Sequence, residues 1–155
     1  MKPAIAHTTP PATLLALAAA ALIGMASTPA QAGQHFTVVE RPTDEKTIDI
    51  GDKGDSPGDL LVFANPIFDA PNKTQVATDQ GYCVRITPGK SWECMWTNIF
   101  KDGMITVEGP FSDVLPDSTF VVTGGTGKYA GAKGSMKLHW RDANGSAYDF
   151  IFDLR

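Results

Sequence analysis

The chain has 155 residues and a net charge of −4, and 43% of its residues are hydrophobic. This length suits one domain, and an acidic chain without a basic stripe excludes nucleic acid and anionic membrane surfaces as partners, because both are polyanions. Two cysteines and three histidines show no zinc-like spacing, so we expect no metal site, and no motif indicates a cofactor.

The first 32 residues have the layout of a secretory signal peptide. Lys2 gives a basic start, an apolar stretch follows, and small residues lead to Ala30-Gln31-Ala32. These last three match the pattern that signal peptidases recognise, so we predict cleavage after Ala32. A membrane span is the alternative, but about 15 apolar residues are too few where about 20 are needed. We therefore predict a secreted or periplasmic protein with a signal peptide at 1–32 and one domain at 33–155.

Eight candidate strands follow, separated by Gly, Pro, Asn and Asp turns. Two turns, Asp102-Gly103 and Asn144-Gly145, are strong hairpin dipeptides because both residues tolerate positive φ. The pattern predicts an all-β fold, a closed eight-stranded antiparallel barrel, with a two-sheet sandwich as the alternative; closure removes exposed strand edges. The candidate strands are Gln34–Glu40, Asp59–Asn65, Gln75–Thr87, Lys90–Phe100, Met104–Glu108, Ser118–Thr123, Ser135–Arg141 and Ala147–Leu154.

Residues 41–58 are polar and rich in turn formers, and we expect one long loop across a barrel end. A calcium loop is the functional alternative, since Asp52, Asp55 and Asp59 lie close together in sequence. Their spacing does not match the EF-hand pattern, which favours a solvated acidic loop.

The hairpin around Pro88-Gly89 places aromatic and polar side chains on one face. A symmetric turn pairs Cys83 with Cys94 and Arg85 with Trp92, and side chains alternate along each strand. Apolar walls with few polar groups are typical of a ligand pocket. The same face also suits a barrel core from which Arg85 reaches solvent. The face carries Cys83, Arg85, Trp92, Cys94, Trp96 and Asn98.

The glycine-rich segment at 123–128 does not match a phosphate-binding P-loop. Val122 stands where the motif requires its first glycine, and Tyr129 stands where it requires Ser or Thr after Lys128. The segment instead suits a tight connection between strands, because glycine tolerates positive φ.

Four segments resemble the allene oxide cyclase and dirigent superfamily of β-barrels. The most specific is the glycine-rich stretch Val122-Thr123-Gly124-Gly125-Thr126-Gly127-Lys128-Tyr129-Ala130-Gly131-Ala132-Lys133-Gly134. The others are Gly58-Asp59-Leu60-Leu61-Val62-Phe63-Ala64-Asn65, Gln80-Gly81-Tyr82-Cys83-Val84-Arg85-Ile86 and Val107-Glu108-Gly109-Pro110-Phe111. The resemblance implies an eight-stranded barrel with a lumen for a lipophilic substrate, and a homotrimer.

The resemblance also implies functional residues. Glu40 matches a carboxylate that helps to open an epoxide in the plant cyclases, and Cys83 matches an assisting cysteine. Phe63 and Asn65 match pocket residues, whereas Pro42 replaces an Asn that helps to hold water there. The alternative for Glu40 is a surface side chain that is solvated or paired with its neighbour in sequence. The predicted ligand-binding set is Phe63, Asn65, Arg85, Trp92, Trp96 and Phe111.

Cys83 and Cys94 form the predicted disulfide. Exported proteins usually oxidise paired cysteines, and the hairpin places these two directly opposite each other on adjacent strands. A bonded Cys83 has no thiol to offer, so it is a catalytic candidate only if reduced. The competing interpretation keeps Cys83 as a free pocket thiol and treats Cys94 as apolar filling.

Three functions fit these observations. The protein is an exported cyclase or isomerase of a hydrophobic metabolite, a binding barrel that carries an apolar molecule without chemistry, or an envelope protein whose lumen is filled by side chains. A lumen filled by Phe63, Trp92, Trp96 and Phe111 would favour the third.

Overall fold

The computed structural model describes residues 33–155, and the predicted signal peptide lies outside them. These residues form ten strands, and Gly127–Tyr129 form one short 3-10 turn. The strands are β1 (Gln34–Glu40), β2 (Glu45–Ile48), β3 (Leu60–Phe63), β4 (Pro66–Asp69), β5 (Gln75–Thr87), β6 (Ser91–Phe100), β7 (Gly103–Ser112), β8 (Asp117–Gly125), β9 (Gly134–Trp140) and β10 (Tyr148–Leu154).

The strands close into the predicted eight-stranded antiparallel barrel. The sheet runs from β5 through β6, β7, β8, β9 and β10 to β1, which pairs with β4, and β4 returns to β5. Two of the eight barrel strands are interrupted: β1 continues as β2, and β3 continues as β4. Strand β4 pairs with β1 and strand β3 with β2, while β3 and β4 both pair with β5.

The expectation of one loop over residues 41–58 is wrong in part, because β2 lies within it. All four β2 residues are exposed, so no buried face produces the alternation that predicts a strand. The short strand β4 was also not predicted. It begins at Pro66, and proline is tolerated at the first position of a strand because no ladder donor is needed there.

The two barrel ends differ in how they are filled. At the end where β1 begins, aromatic rings stack into a floor, with the rings of Phe36 and Phe152 centred 4.9 Å apart and those of Phe100 and Tyr129 5.3 Å apart. At the other end lie the interruption after Glu40 and the loops 49–59, 113–116 and 141–147. The candidate site therefore opens toward this second end, which we call the mouth.

The glycine-rich segment has the structural role that the sequence predicts. Gly127 has φ of +56°, and a Cβ atom there would lie 2.3 Å from the Asp102 carbonyl oxygen. The Lys128 amide donates to that same oxygen at 2.8 Å. The segment thus packs against the β6–β7 turn at the floor end, away from the mouth. No helix within residues 33–155 is long and apolar enough to cross a membrane.

Candidate active site in the barrel lumen

A small cavity of about 50 Å³ lies inside the barrel. That volume holds water molecules but is well below the roughly 300 Å³ of an ordinary ligand pocket. The wall is apolar apart from two carboxyl groups. It is formed by Glu40, Glu45, Leu61, Phe63, Cys83, Cys94, Trp96, Phe111, Leu138 and Phe150.

Glu40 lies at the last position of β1 and is 5% exposed, so its carboxyl group is inside the barrel. It is not paired with the adjacent Arg41, whose guanidinium instead binds Asn72 and stacks on the Phe68 ring. The surface alternative for Glu40 therefore does not describe this structure.

Asn65 orients Glu40 from the break between β3 and β4. Its side-chain Nδ2 donates to Glu40 Oε1 at 2.8 Å. Its Oδ1 accepts hydrogen bonds from the amides of Thr43 and Asp44 at 2.9 and 3.0 Å. One side chain thus closes the gap between β1 and β2 and fixes the carboxylate at its end. Asn65 was predicted from resemblance as a pocket residue, and the structure places it behind Glu40 instead of on the cavity wall.

Asp79 is a second buried carboxyl group beside Glu40. It is 1% exposed, and its Oδ1 accepts a hydrogen bond from the Asn65 amide at 3.1 Å. Its Oδ2 has no donor among the described residues unless Glu40 shares a proton with it. Two carboxyl groups in this arrangement hold a proton between them, because two negative charges cannot be buried together at low cost.

Burial is the main cause of the altered acidity of this pair. Burial, and then the charge of Asp79, raise the pKa of Glu40 well above its usual value. Burial likewise raises the pKa of Asp79 to about 7. The pair therefore keeps a proton near neutral pH, which makes it a proton donor in an apolar chamber.

The mouth above the carboxyl pair is covered by aromatic rings. Phe111 and Trp140 stack with an interplanar angle of 9°, and Tyr148 packs edge-on against both. Burial, together with the nearby Glu40 charge, raises the pKa of Tyr148 to about 12, so its hydroxyl stays protonated. Outside this layer a surface cleft of about 380 Å³ lies between the 113–116 loop and residues 140–143.

Cys83 and Cys94 form the predicted disulfide across β5 and β6, with an S–S distance of 1.97 Å. Both residues line the cavity. With the bond formed, Cys83 is a wall residue without a thiol, and the condition attached to its catalytic role is not met in this structure.

Arg85 and Trp92 lie beside the lumen cavity without lining it. The Arg85 guanidinium lies 3.7 Å above the Trp92 ring, and its Nε is 2.6 Å from Asp55 Oδ1. It also pairs with Asp113, whose other oxygen accepts the Trp92 indole N–H at 3.0 Å. This cluster ties two mouth loops to the barrel. Its geometry is that of a fixed clamp, and the ligand-binding roles of both residues stay predictions.

Two of the acidic residues considered for calcium binding, Asp55 and Asp59, are bound to the protein itself. Asp59 accepts the amides of Ile50 and Ser56, and Asp55 accepts the Gly89 amide while pairing with Arg85. Within residues 33–155 no cluster of three or more His, Cys, Asp or Glu side chains is arranged to hold a metal ion.

Asp79 and Glu45 are the carboxyl groups of the site that were not predicted from the sequence, and Leu61, Leu138 and Phe150 of the cavity wall were not predicted either. A signal for Asp79 exists: the inward face that holds Cys83 and Arg85 continues backward through residues 81, 79 and 77, so an aspartate falls at a buried position. Glu45 gave no signal, because it lies in the exposed strand β2.

Comparison with known proteins agrees with this architecture. The family model described as "Allene oxide cyclase" matches residues 36–141. A pyocyanin demethylase structure has a TM-score of 0.65 and 24% identity, covering 77% of this chain and all of that one. The structure of the pterocarpan synthase dirigent protein PsPTS1 has a TM-score of 0.61 and 15% identity, covering 79% of this chain and 91% of that one. The structure of the Diels–Alderase AbmU from Streptomyces koyangensis has a TM-score of 0.65 and 18% identity, covering 79% of this chain and 67% of that one. At these identities the structural matches establish the fold.

Proposed function

The chain belongs to the allene oxide cyclase family, and from that premise we propose that it is an exported cyclase or isomerase of a hydrophobic small molecule. The observation that carries the proposal is the pair of buried carboxyl groups, Glu40 and Asp79, beside an apolar cavity, where burial raises the pKa of both. A barrel that only stores an apolar molecule has no need for two buried carboxyl groups, which are costly to bury.

The carboxyl pair supports general acid catalysis of a reaction within one substrate molecule, a cyclisation or an isomerisation. The proton on the pair passes to an oxygen or double bond of the substrate as positive charge develops, and the remaining carboxylate stabilises that charge. After the new ring or isomer forms, a proton returns from the substrate to the pair. No atom is gained or lost, so the enzyme needs no cofactor for this chemistry.

The apolar wall contributes by holding one conformer of a flexible substrate away from water. Orientation of this kind supplies several kcal/mol toward a ring closure. Because the cavity is only about 50 Å³, the substrate enters by displacing the rings of Phe63 and Phe111, which line the cavity and are half-buried.

Export and assembly complete the proposal. The leader at 1–32 supports export, and N-terminal sequencing of the mature protein tests whether it begins at Gly33. The family resemblance supports a homotrimer. Tyr82 and Met95 lie directly opposite each other on the outer barrel face and are 43% and 37% exposed, which provides an apolar surface for it. Light scattering measures the assembly.

The activity is tested by chromatography with mass detection on a panel of hydrophobic epoxides and polyenes. An isomerase gives a new chromatographic peak at the unchanged mass of the substrate. We expect Glu40→Gln to lower turnover at least about tenfold, since a general acid typically contributes about 10²–10⁴-fold. Asp117→Asn, which alters an exposed carboxylate paired with Lys137, is the matched control and should be unchanged. Unchanged turnover in Glu40→Gln would remove Glu40 from the mechanism.

The small cavity favours a second candidate function, an envelope barrel whose lumen is filled by side chains. Phe63, Trp96 and Phe111 line the cavity, as that function requires, whereas Trp92 is buried in the core without lining the cavity. A protein that binds no member of the panel and tolerates Glu40→Gln without any change would have this second function.

A further inference from the structure

Trp96 has a buried polar atom without a partner. The residue is 4% exposed, and its Nε1 has no acceptor among the described residues. Aromatic rings surround the indole, with ring centres of Phe120, Phe150 and Phe63 at 4.4, 5.6 and 6.1 Å. An indole N–H can only donate a hydrogen bond, and leaving such a donor unpaired inside a protein is unfavourable.

Of the other two tryptophans, Trp140 also has an indole Nε1 without an acceptor among the described residues, but it lines the outer cleft and not the lumen cavity. The Trp92 indole donates to Asp113 Oδ1 at 3.0 Å, so its hydrogen-bonding capacity is used within the protein. Trp96 instead lines the same cavity as Glu40. The cavity therefore combines a protonated carboxyl pair with a neutral donor in an otherwise apolar wall.

We propose that the Trp96 indole N–H donates a hydrogen bond to an oxygen atom of the bound molecule. The substrate class is thus a hydrophobic compound that carries an acceptor oxygen, such as a ketone or an epoxide, and excludes pure hydrocarbons. A neutral donor suits a neutral oxygen, because an anionic ligand would be repelled by the charge that the carboxyl pair develops. This inference rests on the proposed function, since it requires that the lumen admits a small molecule.

The test uses two probes of the same shape, cyclohexanone and methylenecyclohexane, which differ in having C=O or C=CH₂. The chain has three tryptophans, so a nitrogen–proton correlation spectrum contains three indole signals, and Trp96→Phe assigns the relevant one. We expect cyclohexanone to move the Trp96 indole proton downfield and methylenecyclohexane not to do so. The Trp92 indole signal is the internal control and should stay in place.

The affinities of the two probes separate the contribution of the hydrogen bond from that of the shape of the probe. Trp96→Phe enlarges the cavity for both probes equally, so the loss of packing affects both. We expect cyclohexanone to lose about tenfold in affinity relative to methylenecyclohexane, as for one hydrogen bond. Binding of both probes with an unmoved Trp96 signal, or an unchanged affinity ratio, would overturn the inference and leave the proposed function standing. Failure of both probes to perturb any cavity residue would overturn both.

Discussion

At the scale of single residues, the proposed chemistry depends on two carboxyl groups that the fold buries, Glu40 and Asp79. Asn65 holds Glu40 through one amide hydrogen and holds the chain after β1 through its oxygen. The Asp79 carboxyl group accepts a hydrogen bond from the backbone amide of Asn65. The three side chains therefore form one polar unit at the interrupted strands. The interruptions of the strands are the places where a polar side chain can be buried and still form hydrogen bonds.

The buried pair predicts that stability falls as pH rises. The pKa of Asp79 is 3.8 in an unfolded chain and about 7 in the fold. Between these values the native state holds a proton that the unfolded state has lost, so the free energy of unfolding decreases as pH rises through this range. Asp79→Asn keeps the oxygen that accepts the Asn65 amide and removes the titration. We expect this variant to be more stable than the wild type at pH 8, by about 1–3 kcal/mol.

Urea unfolding between pH 5 and pH 8 measures this effect. The wild type should lose stability across the range, and Asp79→Asn should show a shallower slope. Asp117→Asn should follow the wild type, because hydrogen bonding to His139 lowers the pKa of Asp117 further below this pH range. Parallel slopes for wild type and Asp79→Asn would show that the pair is ionised in the fold.

At the scale of the elements, one hairpin contributes three of the ten residues that line the cavity. Strands β5 and β6 supply the disulfide, Asp79 and Trp96, and β5 also carries the Arg85 clamp. The turn between them is compact because Pro88 precedes Gly89, which has φ of +63°, and the Lys90 amide donates to the Thr87 carbonyl. Proline followed by a glycine of positive φ is the sequence of a type II turn. The strand pairing shifts by one residue between this turn and the Arg85–Trp92 pair.

The disulfide predicts a measurable loss of stability on reduction. It closes a loop with a sequence separation of 11 residues. A cross-link of that length adds about 3 kcal/mol by restricting the unfolded chain. We expect reductant to lower the free energy of unfolding by about that amount, and the double variant Cys83→Ala/Cys94→Ala to be insensitive to reductant. Thiol counting on the denatured, unreduced protein should find none; two free thiols per chain would restore Cys83 as a catalytic candidate.

The Arg85 clamp predicts that two loops move together. Its guanidinium joins Asp55 of the 49–59 loop to Asp113 of the 113–116 loop. Arg85→Gln removes both ion pairs, so we expect faster hydrogen exchange of the backbone amides in both loops. Arg41→Gln is the matched control, because Arg41 binds Asn72 and Phe68 instead of these loops. Unchanged exchange in Arg85→Gln would show that other contacts hold the loops.

Strand-level features could be predicted where one face is buried. The pairs Cys83–Cys94 and Arg85–Trp92, and the buried face that they share with Trp96 and Asn98, follow from alternation and a symmetric turn. Strand β2 could not be predicted, because both of its faces are exposed and only backbone pairing with β3 defines it. Glu40 and Asn65 came from resemblance, whereas their contact, 25 residues apart in sequence, depends on barrel closure, which no local pattern encodes.

At the scale of the whole molecule, one end of the barrel is an aromatic floor and the candidate site lies toward the other end, the mouth. The aromatic floor and the glycine-rich segment form one end, and the carboxyl pair, the aromatic cover and the clamped loops form the other. This polarity explains why residues far apart in sequence meet. The strand ends near Glu40, Tyr148, Phe111 and Arg85 all lie at the mouth, because antiparallel strands bring alternate ends to the same side.

We expect the barrel lumen to bind a hydrophobic small molecule beside the carboxyl pair. Native mass spectrometry of the protein with the epoxide and polyene panel tests it most directly, with Leu61→Trp as the comparison. Leu61 lines the cavity and is half-buried, so a larger ring can fill the lumen while its outer edge stays at the surface. We expect a small-molecule adduct on the wild type that is absent from Leu61→Trp. A wild type that binds no member of the panel, or an adduct retained equally by Leu61→Trp, would contradict it.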